Sequence, residues 1–301
     1  MTGAGRPVRY GLLGTGYWAE HTHGAALHAH PDVELVGVWG RRPEAAEPLA
    51  ARLGTRAYPS PDALFADCDA VAIAVPPDVQ APLAVRAAEA GCHLLLEKPV
   101  ATTEDGARAV AEAVERTGVS AVVFFTLHFT RATGAWLAEA TSRAATDGWT
   151  VGRAEWLSPV FAGSDSPYAA SAWRRERGAL WDIGPHALSV LMPVLGDVGS
   201  VRAVRGSGDT VHLILRHTNG TSSSAVLSHS VPAPGAGVSA EFRGAAGTAT
   251  LPERGEQPAD AFTRALNALA ESVRTGVPHR CDVRFAQRVT EVLARAEADL
   301  D

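Results

Sequence analysis

The stretch YGLLGTGYWA, residues 10–19, is the most informative part of the chain, because it places a tight glycine turn between an apolar strand and the start of a helix. An apolar run over 8–13 leads into the turn, and helical periodicity follows over 17–29. A second apolar run comes at 34–39. That order and spacing predict a strand–helix–strand unit with parallel strands.

The turn has the composition of a dinucleotide-binding loop. In its GxGxxA pattern Gly14 makes the turn, Gly16 lets backbone N–H groups approach phosphates, and Ala19 permits close packing of the helix on the strand. The helix N-terminus adds partial positive charge at the same place. The residues expected to contact a dinucleotide here are Gly14, Thr15, Gly16, Tyr17, Trp18 and Ala19.

Length, composition and charge limit the possible functions. The 301 residues suggest about two domains, and a hydrophobic content of 46% is ordinary for packed cores. With a net charge of −6 and no dense run of Lys or Arg, nucleic acid is not an expected partner, and a small molecule is. The first ten residues lack the apolar core of a signal peptide, and the apolar runs are too short to cross a bilayer. We therefore expect a cytoplasmic protein that does not contact a membrane.

The pattern of the chain changes near residue 125. Up to about 124, strand-like apolar runs alternate with Ala-rich helical stretches, which predicts a doubly wound parallel sheet. These runs lie at 8–13, 34–39, 70–75, 93–96 and 120–125. We expect an α/β fold in which 1–124 is an N-terminal Rossmann domain.

The remaining residues, 125–301, are expected to form an α+β domain for substrate binding and oligomerisation, built on a largely antiparallel sheet. The clearest element is a hairpin, because strand-like runs at 211–217 and 221–229 flank Asn219-Gly220, a dipeptide typical of a type I′ turn. The predicted helices lie at 133–146, 182–195, 258–275 and 283–299, with a further strand near 151–157.

A second motif follows the fourth apolar run. The segment CHLLLEKPV, residues 92–100, brings Glu97 and Lys98 to the carboxyl edge of the sheet, which in open α/β sheets is the ligand crevice. Pro99 restricts Lys98 to extended backbone angles and so presents it from a stiffened position. The cofactor contacts expected at this edge are Val75, Pro76, Glu97 and Lys98.

A third motif, WDIGPH at 181–186, separates Asp182 and His186 by four residues. If a helix begins here, both side chains lie on one helical face. A carboxylate beside an imidazole can set its tautomer and raise its pKa. Asp182 could instead cap the helix, and the two roles could coexist.

These motifs occur in the same order as in the Gfo/Idh/MocA family of oxidoreductases, which the chain resembles over nearly its whole length. The matches are GxGxxA at 14–19, EKP at 97–99 and DxGxH at 182–186, preceded by Trp173-Arg174. The resemblance implies that Lys98, Asp182 and His186 line the site where a nicotinamide meets the substrate. His186 would donate or accept a proton, and Lys98 would polarise the substrate oxygen. It also implies a homo-oligomer.

The chain departs from the family pattern near the expected substrate surface. Ser189 replaces the last Asp of the longer DxGxHxxD pattern, Gln80 stands where a His is frequent, and His128 replaces a frequent Arg. We assign His128, Trp173 and Arg174 to substrate binding.

The choice of cofactor depends on the end of the second strand. An acidic residue there usually binds the ribose of NAD, whereas this chain has Trp39-Gly40-Arg41-Arg42. Guanidinium groups suit a 2′-phosphate, so Arg41 and Arg42 predict NADP in preference to NAD.

We expect no metal site. The histidines 21, 23, 28 and 30 are spaced so that a helix turns their side chains to different faces. The cysteines 68, 92 and 281 form no CxxC pair, and we interpret them as packing residues.

The sequence therefore predicts an enzyme, an NAD(P)-dependent oxidoreductase that transfers a hydride between nicotinamide and a hydroxyl or keto carbon. By resemblance, its substrate would be a sugar, nucleotide sugar, cyclitol or similar small polar molecule. One alternative is a hydrolase or lyase of the same family that uses transient oxidation by a retained cofactor. Another is a regulatory protein that senses nicotinamide.

Overall fold

The computed structural model describes residues 6–163, 166–169, 171–245, 247–253 and 255–300. By its internal contacts the chain divides into two compact units. The first joins Met1–Phe129 to Glu256–Gln287, and the second joins Thr130–Gly255 to Arg288–Asp301. The division predicted from sequence, 1–124 and 125–301, differs because it assigned 256–287 to the second domain.

The first unit is built on six parallel strands in the order β3-β2-β1-β4-β5-β6. They are β1 Val8–Leu13, β2 Val33–Trp39, β3 Arg56–Ala57, β4 Ala70–Ile73, β5 His93–Leu96 and β6 Ala121–Val123. This is the doubly wound Rossmann order, in which ligands bind outside the carboxyl ends of the strands. The predicted fold class of this part is confirmed.

Helices connect these strands. A π-helical turn, Ala19–Gly24, continues into α1 Ala25–Ala29, and the other connections are α2 Pro43–Arg52, α3 Pro61–Phe65, α4 Pro77–Glu89 and α5 Glu104–Thr117. A short helix, α6 Thr126–Phe129, follows β6. The ends of α5 show how local interactions set where a helix begins and ends. The Thr103 side chain accepts a hydrogen bond from the Gly106 N–H at 3.1 Å, and Gly118 ends the helix with φ +72°.

The second unit contains a mixed, mostly antiparallel sheet in the order β12-β11-β7-β10-β9-β8. Its strands are β7 Trp149–Leu157, β8 Val198–Arg205, β9 Val211–His217, β10 Ser222–Ser228, β11 Gly237–Gly244 and β12 Gly247–Thr250. Strands β7 and β10 pair in parallel, and the other neighbours are antiparallel. The helices α7 Arg131–Asp147 and α8 Ala172–Leu195 belong to the same unit, and α8 packs on β7 and β10.

Two local predictions in this unit are wrong. Helix α8 begins at Ala172 rather than at 182, and it is kinked at Gly178, whose φ is +63°. The hairpin of β9 and β10 is present, but Asn219 does not fit a type I′ turn, since no non-glycine residue in the described ranges has positive φ. Instead Gly220, with φ +91°, donates its N–H to the His217 carbonyl at 3.0 Å, which is typical of a three-residue loop.

The three cysteines are free. Burial raises the pKa of the Cys68 thiol to about 12 and that of Cys92 to about 11, so both remain protonated at neutral pH. Among the described residues, no helix combines the length and the apolar content needed to cross a membrane.

The last two helices are α9 Pro258–Thr275 and α10 Val283–Leu300. Helix α9 packs on β5, β6, the π-helical turn and α1, all of the first unit. Phe262 of α9 is fully buried, with its ring centroid 4.0 Å from that of His23 and 5.0 Å from that of Phe124. This apolar surface explains why 256–287 belongs with the first unit.

Replacing Phe262 by Ala should therefore destabilise the first unit by about 3–5 kcal/mol, the usual cost of removing a buried aromatic side chain. The matched control is Val277→Ala, whose side chain is 64% exposed and whose loss should matter by less than about 0.5 kcal/mol. Urea unfolding of both variants checks this, and equal midpoints would contradict the packing of α9.

Candidate functional site

The glycine turn joins the ends of three neighbouring strands. The Gly14 N–H donates to the Trp39 carbonyl at 2.8 Å, and the Ala74 N–H donates to the Leu13 carbonyl at 2.7 Å. Gly14 has φ +130°, and a Cβ there would lie 2.3 Å from the Ala74 carbonyl oxygen. Only glycine fits this close approach.

Gly16 has the opposite surroundings. A Cβ built there meets nothing within 4 Å, so open space lies over the backbone at the start of the π-helical turn. This is the place where a dinucleotide-binding loop brings its N–H groups to the pyrophosphate. The cradle therefore fits the expected cofactor.

The Glu97 carboxylate ties the cofactor loop to the end of β5. Its Oε1 accepts hydrogen bonds from Trp18 Nε1 at 2.6 Å and from His23 Nε2 at 2.7 Å. His23 is fully buried, and its Nδ1 has no hydrogen-bond partner among the described residues. Since a carboxylate needs a donor, the imidazole proton lies on Nε2. Glu97 was expected to bind the cofactor, and the structure shows its side chain fixing the loop that would do so.

Gln80 fixes the backbone on either side of Lys98. Its Nε2 donates to the carbonyls of Glu97 at 2.7 Å and Pro99 at 3.1 Å, and its Oε1 accepts the Glu97 N–H at 2.8 Å. The Lys98–Pro99 peptide is cis. Gln80 is fully buried and binds the backbone on both sides of Lys98. The sequence had predicted a position near the substrate surface.

The remaining residues expected to bind the cofactor lie at the same edge. Arg41 and Arg42 follow β2 and are exposed, and the Arg42 carbonyl accepts the N–H groups of Ala45 and Ala46 at the start of α2. Val75 and Pro76 lie between β4 and α4 and are half-buried. Parallel strands bring all of these positions together with Lys98.

His128 has a different environment from the one predicted. It lies in α6, only 6% exposed, with its ring edge-on to those of Phe125 and Phe285 at 6.3 and 6.2 Å. Because the imidazole packs in an aromatic cluster, we do not include it among the proposed substrate contacts.

In the second unit a buried carboxylate lies on α8. Asp182 Oδ2 accepts hydrogen bonds from Arg174 Nε at 2.7 Å and from His229 Nε2 at 3.1 Å. The Arg174 guanidinium also lies over the rings of Tyr168 and Trp173, at 4.8 and 4.9 Å. Arg174, assigned to substrate binding from the sequence, thus pairs with Asp182 and contacts Trp173. Asp182 does not cap the helix, because it lies four residues beyond the break at Gly178, inside the second helical segment of α8.

His186 is half-buried one turn beyond Asp182 on α8. Its ring stacks on Trp156, with centroids 5.4 Å apart and planes 9° from parallel, so Trp156 fixes the plane of the imidazole. The Ser189 hydroxyl donates to the His186 carbonyl at 2.9 Å. Ser189 is fully buried, and its hydroxyl binds a backbone carbonyl of its own helix.

The four histidines near the N-terminus have separate contacts. His21 stacks on Tyr17, His23 bonds Glu97, His28 Nδ1 contacts the Leu53 carbonyl, and His30 bonds Asn267. In the described ranges, no group of three or more His, Cys, Asp or Glu side chains could hold a metal ion.

Comparison with known proteins gives the family. Residues 8–125 match the model of the Gfo/Idh/MocA group, described as an oxidoreductase family with an NAD-binding Rossmann fold. The chain is 32% identical over 245 residues to dTDP-3,4-didehydro-2,6-dideoxy-alpha-D-glucose 3-reductase of Streptomyces violaceoruber, covering 79% of this chain and 66% of that enzyme.

The chain belongs to the Gfo/Idh/MocA family. The reductase of the same name from Streptomyces antibioticus is 31% identical over 194 residues, or 63% of this chain and 57% of that enzyme. The aligned part is thus somewhat more than half of these relatives. Levoglucosan dehydrogenase in complex with NADH and L-sorbose has the same fold, with a TM-score of 0.85 at 19% identity over 98% of this chain and 97% of that one. The predicted family is confirmed.

Two glycine variants separate folding from binding in this family member. Gly14→Ala must strain a positive φ and collide with the Ala74 carbonyl, so we expect destabilisation of at least about 1–3 kcal/mol. Gly16→Ala has room, so stability should change by less than about 0.5 kcal/mol while dinucleotide affinity falls about tenfold. Thermal unfolding and NADPH titration check this. Unchanged NADPH affinity in Gly16→Ala would contradict binding of the pyrophosphate at the Gly16 backbone.

Proposed function

We propose that this chain is an NADPH-dependent oxidoreductase acting on a hydroxyl or keto carbon of a sugar, nucleotide sugar or cyclitol. The observation that supports it most is the open space over Gly16, after β1, at the same sheet edge as Lys98, which follows β5 two strands away. The names of the related enzymes support the substrate class, since they are a reductase of a dTDP-sugar and a dehydrogenase of levoglucosan.

The chemistry divides between cofactor and protein. When bound, the nicotinamide supplies or accepts the hydride. The substrate oxygen must gain or lose a proton in the same reaction, and the family pattern gives this task to His186. The ammonium group of Lys98 polarises that oxygen. Arg174 and Trp173 remain candidate substrate contacts, with Arg174 acting partly through Asp182.

The preference for NADPH depends on Arg41 and Arg42. Both are exposed at the end of β2, where the adenosine ribose of a dinucleotide lies in Rossmann sites, and no acidic residue stands between Trp39 and Pro43. The similar levoglucosan dehydrogenase binds NADH, so this preference would be a feature of this chain's own residues.

We further propose that the chain forms a homo-oligomer through the outer face of the second-unit sheet. Val151, Val204 and Ile214 expose 41%, 64% and 59% of their area on β7, β8 and β9, a large apolar exposure for one sheet. A cytoplasmic location stays a prediction.

Lys98→Ala and His186→Ala should each abolish turnover of the sugar that the wild-type protein oxidises best, with NADPH affinity within several-fold of wild type. Both side chains are assigned to chemistry rather than to cofactor binding. Steady-state kinetics with a panel of myo-inositol, levoglucosan and dTDP-sugars provides the measurement. Full activity in either variant would remove that residue from the mechanism.

Removing the charge of Arg41 or Arg42 should change only the selectivity between NADPH and NADH. Arg41→Ala and Arg42→Ala are each expected to weaken NADPH binding by about tenfold, roughly 1.4 kcal/mol, and to leave NADH binding within about threefold. Arg52→Ala is the control, since that exposed arginine pairs with Glu20 at 2.7 Å. An equal loss for both dinucleotides would contradict recognition of the 2′-phosphate.

A further inference from the structure

The parallel pairing of β7 and β10 brings two polar residues together at one edge of the second-unit sheet. Leu157 and Ser228 are paired in register, so the residues that follow them, Ser158 and His229, are neighbours. The Ser158 N–H donates to the Ser228 carbonyl at 2.8 Å. The Ser158 hydroxyl lies 2.7 Å from His229 Nδ1.

The other nitrogen of this imidazole faces the Asp182 carboxylate. His229 Nε2 lies 3.1 Å from Asp182 Oδ2, and the side chains are 3% and 8% exposed. An ionised carboxylate only accepts hydrogen bonds, so Nε2 carries the proton. With the proton on Nε2, Nδ1 is the acceptor, and the Ser158 hydroxyl is its donor. Both hydrogen bonds therefore point from Ser158 towards Asp182.

Surrounding groups fix His229 in place. Its N–H donates to Asp209 Oδ1 at 2.9 Å, and its carbonyl accepts the Phe161 N–H at 2.8 Å. The Asp209 carboxylate also receives the hydroxyls of Ser228 at 3.1 Å and Ser230 at 2.8 Å. The Phe161 ring packs edge-on against the imidazole, with centroids 5.2 Å apart. The position of Nε2 is thus determined by three residues outside α8, namely Ser158, Phe161 and Asp209.

We infer that His229 is a positioning residue for the proposed reaction, which it serves by fixing the Asp182 carboxylate together with Arg174. Arg174 and His229 donate to the same oxygen, Oδ2, from two different elements. This leaves one orientation of the carboxylate on α8, one turn before His186. Because charge-assisted hydrogen bonds in a buried site are strong, their geometry is imposed on the carboxylate. This inference rests on the proposed function and on the family pattern, in which Asp182 lines the site together with His186.

Two polar substitutions separate the two hydrogen bonds of His229. In His229→Gln the amide reaches the place of Nε2 and keeps a donor for Asp182. In His229→Asn the shorter amide reaches only the place of Nδ1 and keeps a partner for Ser158. The matched control is His217→Asn, because His217 is also buried in this sheet, 2% exposed, and bonds the Gly196 carbonyl at 2.6 Å and the Ser223 hydroxyl at 2.8 Å.

The experiment measures kcat, KM and the thermal unfolding midpoint of the full chain with NADP⁺ and the best sugar of the panel. We expect His229→Asn to lower kcat about 10- to 100-fold with KM within about threefold, the effect of one lost hydrogen bond to a charged group. His229→Gln should recover most of kcat. His217→Asn should lose a similar amount of stability and keep the wild-type kcat.

Three results would overturn the inference. His229→Asn could retain the kcat of His217→Asn, or His229→Gln could be as impaired as His229→Asn, and either would make His229 a structural residue while leaving the proposed function intact. No turnover by the wild-type protein with any sugar of the panel would refute the proposed function, and the role of His229 with it.

Discussion

A single carboxylate, that of Glu97, connects the parts of the first unit on which binding depends. It accepts hydrogen bonds from Trp18 and His23, on the loop and π-helical turn after β1, while its own backbone is held by Gln80. The side chain is only 12% exposed, so removing a donor would leave a carboxylate largely buried and poorly satisfied. The cofactor loop and the backbone of Lys98 are therefore fixed relative to each other by the same group.

The second unit repeats this arrangement with different elements. Asp182 is again a buried carboxylate that receives one imidazole, His229, and one further donor, Arg174. In each unit the motif residue expected to do chemistry lies close in sequence to the buried acid: Lys98 follows Glu97 directly, and His186 is one helical turn from Asp182. The acid of each motif thus binds side chains from other parts of its unit, next to the residue expected to do chemistry.

Local sequence signals were enough for the sheet of the first unit and for the edge where its motifs meet. The glycine turn, the apolar runs and EKP are continuous stretches whose chemistry can be understood without the fold. The partners of the motif acids could not be found in this way, because His23 is 74 residues from Glu97 and His229 is 47 residues from Asp182. Nothing near either histidine in the sequence identifies its carboxylate partner.

The errors have the same origin. Asp182 looked like a helix cap because WDIGPH is typical of a helix start, yet the helical segment that contains it begins directly after Gly178, whose φ of +63° is not helical. The helical periodicity of the sequence predicted α9 but not the unit to which α9 belongs. An apolar helix face such as the one around Phe262 does not specify which sheet the helix covers. His128 follows a strand end, as binding residues do, and its burial among Phe125 and Phe285 depends on a helix far along the chain.

The central claim is that the carboxyl edge of the first-unit sheet binds a nicotinamide dinucleotide. Equilibrium titration of the purified wild-type protein with NADPH and, in parallel, NADH, followed by nicotinamide fluorescence, tests it most directly. We expect saturable binding of NADPH, at least about tenfold tighter than that of NADH. Absence of binding by either dinucleotide, in protein shown to carry no cofactor from purification, would contradict it.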